Sequence, residues 1–316
     1  MSHFVIPALF AMFLWWFSTG LILLADRMPS LSERAMMVLA SVTAVVALAA
    51  LWLTKDNMTI AGAYMSFCAG IVLWGWNEVA FLSGTITGPR RTVCPPELSG
   101  FQRFIYATQT LIYHELTIAG TAAILWLMLS GSLNMAGLWA FLLLWGMRLS
   151  AKFNIFLGVP NVTSEFLPAR LAHLKSYFRT RALNLLFPIS ITVGSALTFW
   201  FAHLAIGAVE AGQTSQAVAF SLLTTLGGLG VLEHWFLVLP LPDEKLWRWY
   251  LRPADNVKAL PVADTQKSTD FRRRSLNLAA TNKEGQPVRA GKPSSSFLIH
   301  DQSPVAAGCT IGGSQS

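Results

Sequence analysis

Charge is scarce in this chain. Only 12% of its 316 residues are Asp, Glu, Lys or Arg, against about 25% in an average soluble domain. The deficit is concentrated in residues 1–240, which excludes an ordinary solvated globule there. Cysteine is scarce as well: Cys68, Cys94 and Cys309 make neither a disulfide framework nor a zinc-ligand spacing. No Lys or Arg precedes the first apolar stretch, so a signal-peptide n-region is missing and that stretch reads as a retained helix. Walker loop, G-x-S-x-G elbow, dinucleotide fingerprint and haem-attachment Cys-x-x-Cys-His are all absent. The net charge of +7 is spread over short loops and a tail, so it argues for membrane topology and against a nucleic-acid partner.

Long apolar runs are abundant. A spanning helix needs about 20 mostly apolar residues, and seven segments qualify: 4–25, 35–53, 60–83, 104–129, 134–156, 186–207 and 216–239. The expected fold is an all-α polytopic bundle over residues 1–252. Odd-numbered loops carry Arg27, Arg34, Arg90, Arg91, Arg103, Arg170, Lys175, Arg179 and Arg181, while even-numbered loops carry only Lys55. The positive-inside rule then puts the N-terminus outside and the C-terminus in the cytoplasm, with Lys245, Arg248 and Arg252 just inside. In the fifth loop, Leu167, Leu171, Leu174 and Phe178 recur at helical spacing. They predict an amphipathic helix over 164–180, either on the membrane face or packed on the bundle. Residues 253–316 are rich in Ser, Pro, Gly and Lys, include Arg272-Arg273-Arg274, and read as a disordered tail.

The most informative residues are the ionisable ones inside apolar runs: Glu78, the pair His114-Glu115, and the pair Glu233-His234. Each charged group at mid-helix costs about 2.5–3.5 kcal/mol on insertion scales, so such groups mark a site or an internal pair. With about 1.5 Å of rise per residue, all five lie in the inner half of the membrane. Arg148 and Lys152, spaced i,i+4, reach the same depth from the fifth span. Three readings stand. In the first, carboxylates pair with Arg148, Lys152 and histidine to lock the helices. In the second, Glu78, His114, Glu115, Glu233 and His234 ligate a transition metal, although adjacent His-Glu pairs diverge by about 100° on a helix, unlike the Glu-x-x-His of di-metal bundles. In the third, His114 or His234 holds a tetrapyrrole-type pigment walled by Trp74, Trp76, Trp145 and Trp235, with Trp15 and Trp16 nearby. His3, His173 and His203 read as interfacial. The Pro-rich loop 88–96 with Arg90 and Arg91 is a docking loop or a stiff connector. Small residues at Gly62, Ser66, Gly70, Gly227, Gly228 and Gly230 predict close helix approach.

Several of these stretches resemble one family. The runs Trp15-Trp16-Phe17-Ser18-Thr19-Gly20, Trp74-Gly75-Trp76-Asn77-Glu78 and Thr87 to Pro96 are similar to the PuhE-type photosynthetic complex assembly proteins of purple bacteria. So are Tyr113-His114-Glu115-Leu116, Met147 to Gly158, and Leu232 to Pro240. The resemblance covers residues 4–250, and the tail beyond about 252 departs from it. It implies an inner-membrane protein of a phototrophic bacterium that aids assembly of the reaction centre with its light-harvesting antenna, with a link to bacteriochlorophyll supply; the leading reading of the chain is then a non-catalytic assembly factor. The alternative from the residues alone is a membrane metalloenzyme acting on a pigment or lipid. The expected partners are the bilayer and reaction-centre or antenna subunits.

Overall fold

A computed structural model describes residues 2–27, 32–162 and 167–239. Within them the chain forms α1 (Ser2–Arg27), α2 (Glu33–Thr54), α3 (Ile60–Leu82), α4 (Gly100–Gln109), α5 (Ile112–Leu129), α6 (Ala136–Leu157), α7 (Leu186–Glu210) and α8 (Thr214–Phe236). A 3-10 helix, Ala169–Tyr177, lies between α6 and α7. All but α4 are long and apolar enough to cross a membrane, so the seven expected spans are present. Helices suit this sequence because a spanning backbone must satisfy its own hydrogen bonds. Polar breaks then start new helices: Ser32 Oγ caps α2 at Ala35 N (3.1 Å) and Thr59 Oγ1 caps α3 at Gly62 N (3.0 Å). Among the described residues the β structure is a single isolated bridge, Val159 to Thr180. The expected tail 253–316, with Lys245, Arg248 and Arg252, lies outside the described residues.

About half of α3 and α8 is buried (56% and 50% of their spans), against 17–28% for the other five, so these two are the central helices. They also carry Glu78 and Glu233. α1 and α6 each pack on both of them, α7 packs on α8, and α2 packs on α3. Where α3 crosses α6, a Cβ on Gly70 would lie 2.3 Å from the Gly137 carbonyl, and one on Gly137 would lie 2.4 Å from the Ser66 carbonyl. Only glycine permits this contact, which Ser66 Oγ closes by accepting from Gly137 N at 2.9 Å. Gly62, Gly227 and Gly230 also meet neighbours, but Gly228 faces open space.

Two local expectations need correction. The span 104–129 is not one helix: it breaks at Thr110-Leu111 into α4 and α5. The loop after α3 enters the break, where Arg90 N donates to the freed Gln109 carbonyl (3.1 Å) and His114 N to the Thr87 carbonyl (3.0 Å). A Cβ on Gly88 would sit 2.1 Å from the Gln109 carbonyl oxygen, so the loop needs glycine there. The second correction concerns 164–180. Its described part is a 3-10 helix, whose three-residue turn puts Leu171, Leu174 and Tyr177 on one buried side. Leu171 and Leu174 pack with Phe81, Leu82 and Leu111, so this stripe faces protein.

Candidate functional site

The ends of α3, α6 and α8, with the start of α5, bring the predicted polar residues together at the end of the bundle bearing the basic loops. Lys152 Nζ donates to Glu115 Oε1 at 2.6 Å, with side chains only 19% and 14% exposed. Trp145 Nε1 donates to the other Glu115 oxygen at 3.2 Å. Glu115 therefore has a charged and a neutral donor. Glu233, one helix face away, accepts from Trp15 Nε1 at 2.7 Å, so α1 is tied to α8 through an indole.

His234 is fully buried. Its Nδ1 donates to the Gly230 carbonyl (2.8 Å), and its Nε2 meets Ser150 Oγ at 3.0 Å. Ser150 continues to Ser190 Oγ (2.8 Å), which also accepts from Asn154 Nδ2 (2.9 Å). This chain of side chains joins α8, α6 and α7. Ser150, Asn154 and Ser190 did not stand out in the sequence. The signal available was Ser150 and Asn154 at i,i+4, a polar stripe beside that of Arg148 and Lys152.

Glu78 and Arg148 are matched differently. Arg148 Nη2 lies 3.7 Å from Glu78 Oε2, beyond hydrogen-bond reach, and the Arg148 side chain is 48% exposed. Glu78 Oε1 is buried without a partner. Glu233 and Glu115 also act electrostatically on Arg148. His114 stacks beside Phe81, with centroids 4.6 Å apart, and its Nε2 is buried and unpartnered.

Running through this layer, between α1, α3, α6 and α8, is a cavity of about 390 Å³, in the size range of small-molecule sites (about 300–1,000 Å³). Leu14, Phe67, Ile71, Leu143 and Leu226 give it apolar walls, and Glu78, Arg148, Lys152 and Glu233 also line it. Of the expected tryptophan walls, Trp74 lines it, joined by Trp15. Trp76 donates to Ser41 on α2 (3.1 Å), and Trp235 packs edge-on against Phe187. Neither His114 nor His234 is among the lining residues. The five residues expected as metal ligands do not converge: among the described residues no group of three or more His, Cys, Asp or Glu is placed to hold a metal ion.

The loop cations are engaged internally. Arg90 Nε donates to Tyr177 Oη (2.9 Å) and its guanidinium covers the Tyr106 ring at 3.9 Å, while Arg91 donates to the Gly84 carbonyl (3.2 Å). Arg103, only 5% exposed, donates to the Tyr177 carbonyl and, at 3.4 Å, to that of Phe156, whose ring it also covers. Arg103 thus clamps α4, α6 and the 3-10 helix, a role its loop position hid.

Residues 1–258 match the model of a family described as "Protein of unknown function (DUF3623)". The chain is also 42% identical over 263 residues to a Rhodobacter capsulatus protein described as an uncharacterized 30.4 kDa protein in the puhA 5′ region, covering 81% of this chain and 94% of the relative. No solved structure matches the chain. Its relative bears out the resemblance to the PuhE-type assembly proteins, and the family match covers most of the sequence, so the chain belongs to the DUF3623 family.

Proposed function

We propose that this protein is an assembly factor for the photosynthetic reaction centre and its light-harvesting antenna, resident in the inner membrane of a phototrophic bacterium. The observation that carries this reading is the near-full-length kinship with the protein of the puhA 5′ region. The fold is in keeping with it: Glu115, Glu233 and His234 tie helices together, as in a scaffold. The N-terminus faces the periplasm and the C-terminus the cytoplasm, on the loop charges. Contact with partner subunits falls to surfaces other than Arg90, which is held by Tyr177 and Tyr106. A bacteriochlorophyll-type pigment held by this factor would find no histidine in the cavity, which neither His114 nor His234 lines.

Deleting the gene from its phototrophic host tests the role. Near-infrared absorption of the membranes should fall for the reaction centre, the antenna or both, and tagged full-length protein should capture their subunits. A deletion strain that assembles both complexes at the normal rate and amount refutes the proposal. Orientation is read separately, with a fluorescent protein fused at the C-terminus; emission only from periplasmic reporters would reverse it.

A further inference from the structure

Arg148 lies nine residues before α6 ends at Leu157, about 13 Å along the helix axis. A guanidinium has five N–H donors, yet no described protein oxygen accepts from this one, and its nearest carboxylate is 3.7 Å away. Nearly half of the side chain is exposed, and it lines the cavity. Glu78, Lys152 and Glu233 share the cavity lining with Leu14, Ile71, Leu143 and Leu226, so an occupant meets both polar and apolar walls. The cavity therefore has largely apolar walls with a strong donor set among them. An amphiphile fits both.

Its head is constrained by charge. Around Arg148 and Lys152 stand three carboxyl groups, Glu78, Glu115 and Glu233, so an anionic head meets repulsion from acidic neighbours. An uncharged head with an acceptor oxygen does not. We infer that this cavity is a binding site for an uncharged membrane amphiphile whose carbonyl or hydroxyl oxygen accepts from Arg148 and whose apolar part lies between α1 and α6 against Trp15 and Trp74. Glu78, 8% exposed, holds the guanidinium from behind without using up its donors. Membrane quinones and ester lipids share this chemistry. The inference rests on the cavity alone and is independent of the assembly role.

Gly75 supplies the test. It lines the cavity on α3, and a Cβ there would meet only Ile22 Cδ1, at 3.7 Å. Gly75→Leu therefore fills the cavity without a backbone clash and replaces a poor helix former. Full-length protein in nanodiscs would be assayed for saturable binding of radiolabelled decylubiquinone, dioleoylglycerol and oleate. The expected result is binding of one of the two uncharged probes, abolished by Gly75→Leu and weakened about 10- to 100-fold by Arg148→Met, the loss of a charged hydrogen bond. Decylubiquinone binding alone identifies a quinone site, and dioleoylglycerol binding alone an ester-lipid site. Preference for oleate, or binding unaffected by Gly75→Leu, overturns the inference, as does the absence of saturable binding of any probe. If Gly75→Leu shifts thermal unfolding, Ala151→Leu, from the facing wall, fills the same space from α6.

Discussion

The two ion pairs differ enough in geometry to predict different couplings. Glu115 and Lys152 are in contact at 2.6 Å and more than four-fifths buried. Lys152→Met leaves Glu115 with only the Trp145 indole. Breaking one side of a buried pair costs about 3–5 kcal/mol, because the surviving charge stays desolvated. Glu115→Leu strands Lys152 at similar cost. The double variant removes both charges and leaves only the Trp145 N–H without its acceptor, worth about 1–2 kcal/mol. A double-mutant cycle should therefore return a coupling of about 4–9 kcal/mol. For Glu78 and Arg148 the separation is 3.7 Å, beyond hydrogen-bond contact, and Arg148 faces the cavity, so the same cycle with Glu78→Leu and Arg148→Met should give a smaller coupling, about 1–3 kcal/mol. Reversible unfolding in bicelles, followed by tryptophan fluorescence, measures both. If the Glu115–Lys152 double variant loses the sum of the single losses, or if the two cycles agree, the distinction between a saturated and an unsaturated pair is wrong.

Three further outcomes follow from the packing. Gly70→Ala forces a Cβ to 2.3 Å from the Gly137 carbonyl and should destabilise by about 1–3 kcal/mol, whereas Gly120→Ala, which meets open space, should be neutral or gain up to about 1 kcal/mol; unfolding midpoints decide. Arg103→Met removes the donor to the Tyr177 and Phe156 carbonyls and should expose the 3-10 helix to limited proteolysis while the spans stay intact; unchanged cleavage would deny the clamp. Burial, then the nearby Arg91 cation, hold His173 below its usual imidazole value, partly offset by a bond to the Arg170 backbone. Its folded value being the lower, its stabilisation is whole above about pH 6.5 and is lost as pH falls below that. Protease resistance of the segment should drop between pH 7.5 and 5.5, and His173→Phe should flatten the profile.

Spans were legible because a membrane imposes a length and an apolar composition that few other settings do. The break inside 104–129 was not. Nothing in Thr110-Leu111 resembles a helix stop, and the hydrogen bonds that compensate it come from Thr87 and Arg90, some twenty residues earlier. The 3-10 helix was hidden for a related reason: Leu171 and Leu174 satisfy a period of three or of 3.6, and the choice depended on Tyr177 reaching Arg90. At the site, depth along each helix was enough to gather Glu78, Glu115, Arg148, Lys152, Glu233 and His234 into one layer. Which group met which was not, since Trp15, Ser150 and Ser190 are ordinary residues for spanning helices and became partners only through rotation about their axes.

That pairing separates residues that look equivalent in sequence. If the layer were helix glue throughout, Arg148 should be bonded as Lys152 is, because an unsatisfied donor in a low-dielectric setting is costly. Lys152 has its carboxylate at 2.6 Å, Glu233 its indole and His234 both a carbonyl and a hydroxyl. Arg148 has a carboxylate it does not touch and a cavity it faces. Lys152, Glu233 and His234 are bonded within the same bundle, whereas Glu78 Oε1 and His114 Nε2, like Arg148, have no hydrogen-bond partner among the described residues. A guanidinium left short of acceptors in the lining of a cavity has donors to offer an oxygen from outside the described protein, and in this Arg148 differs from Lys152.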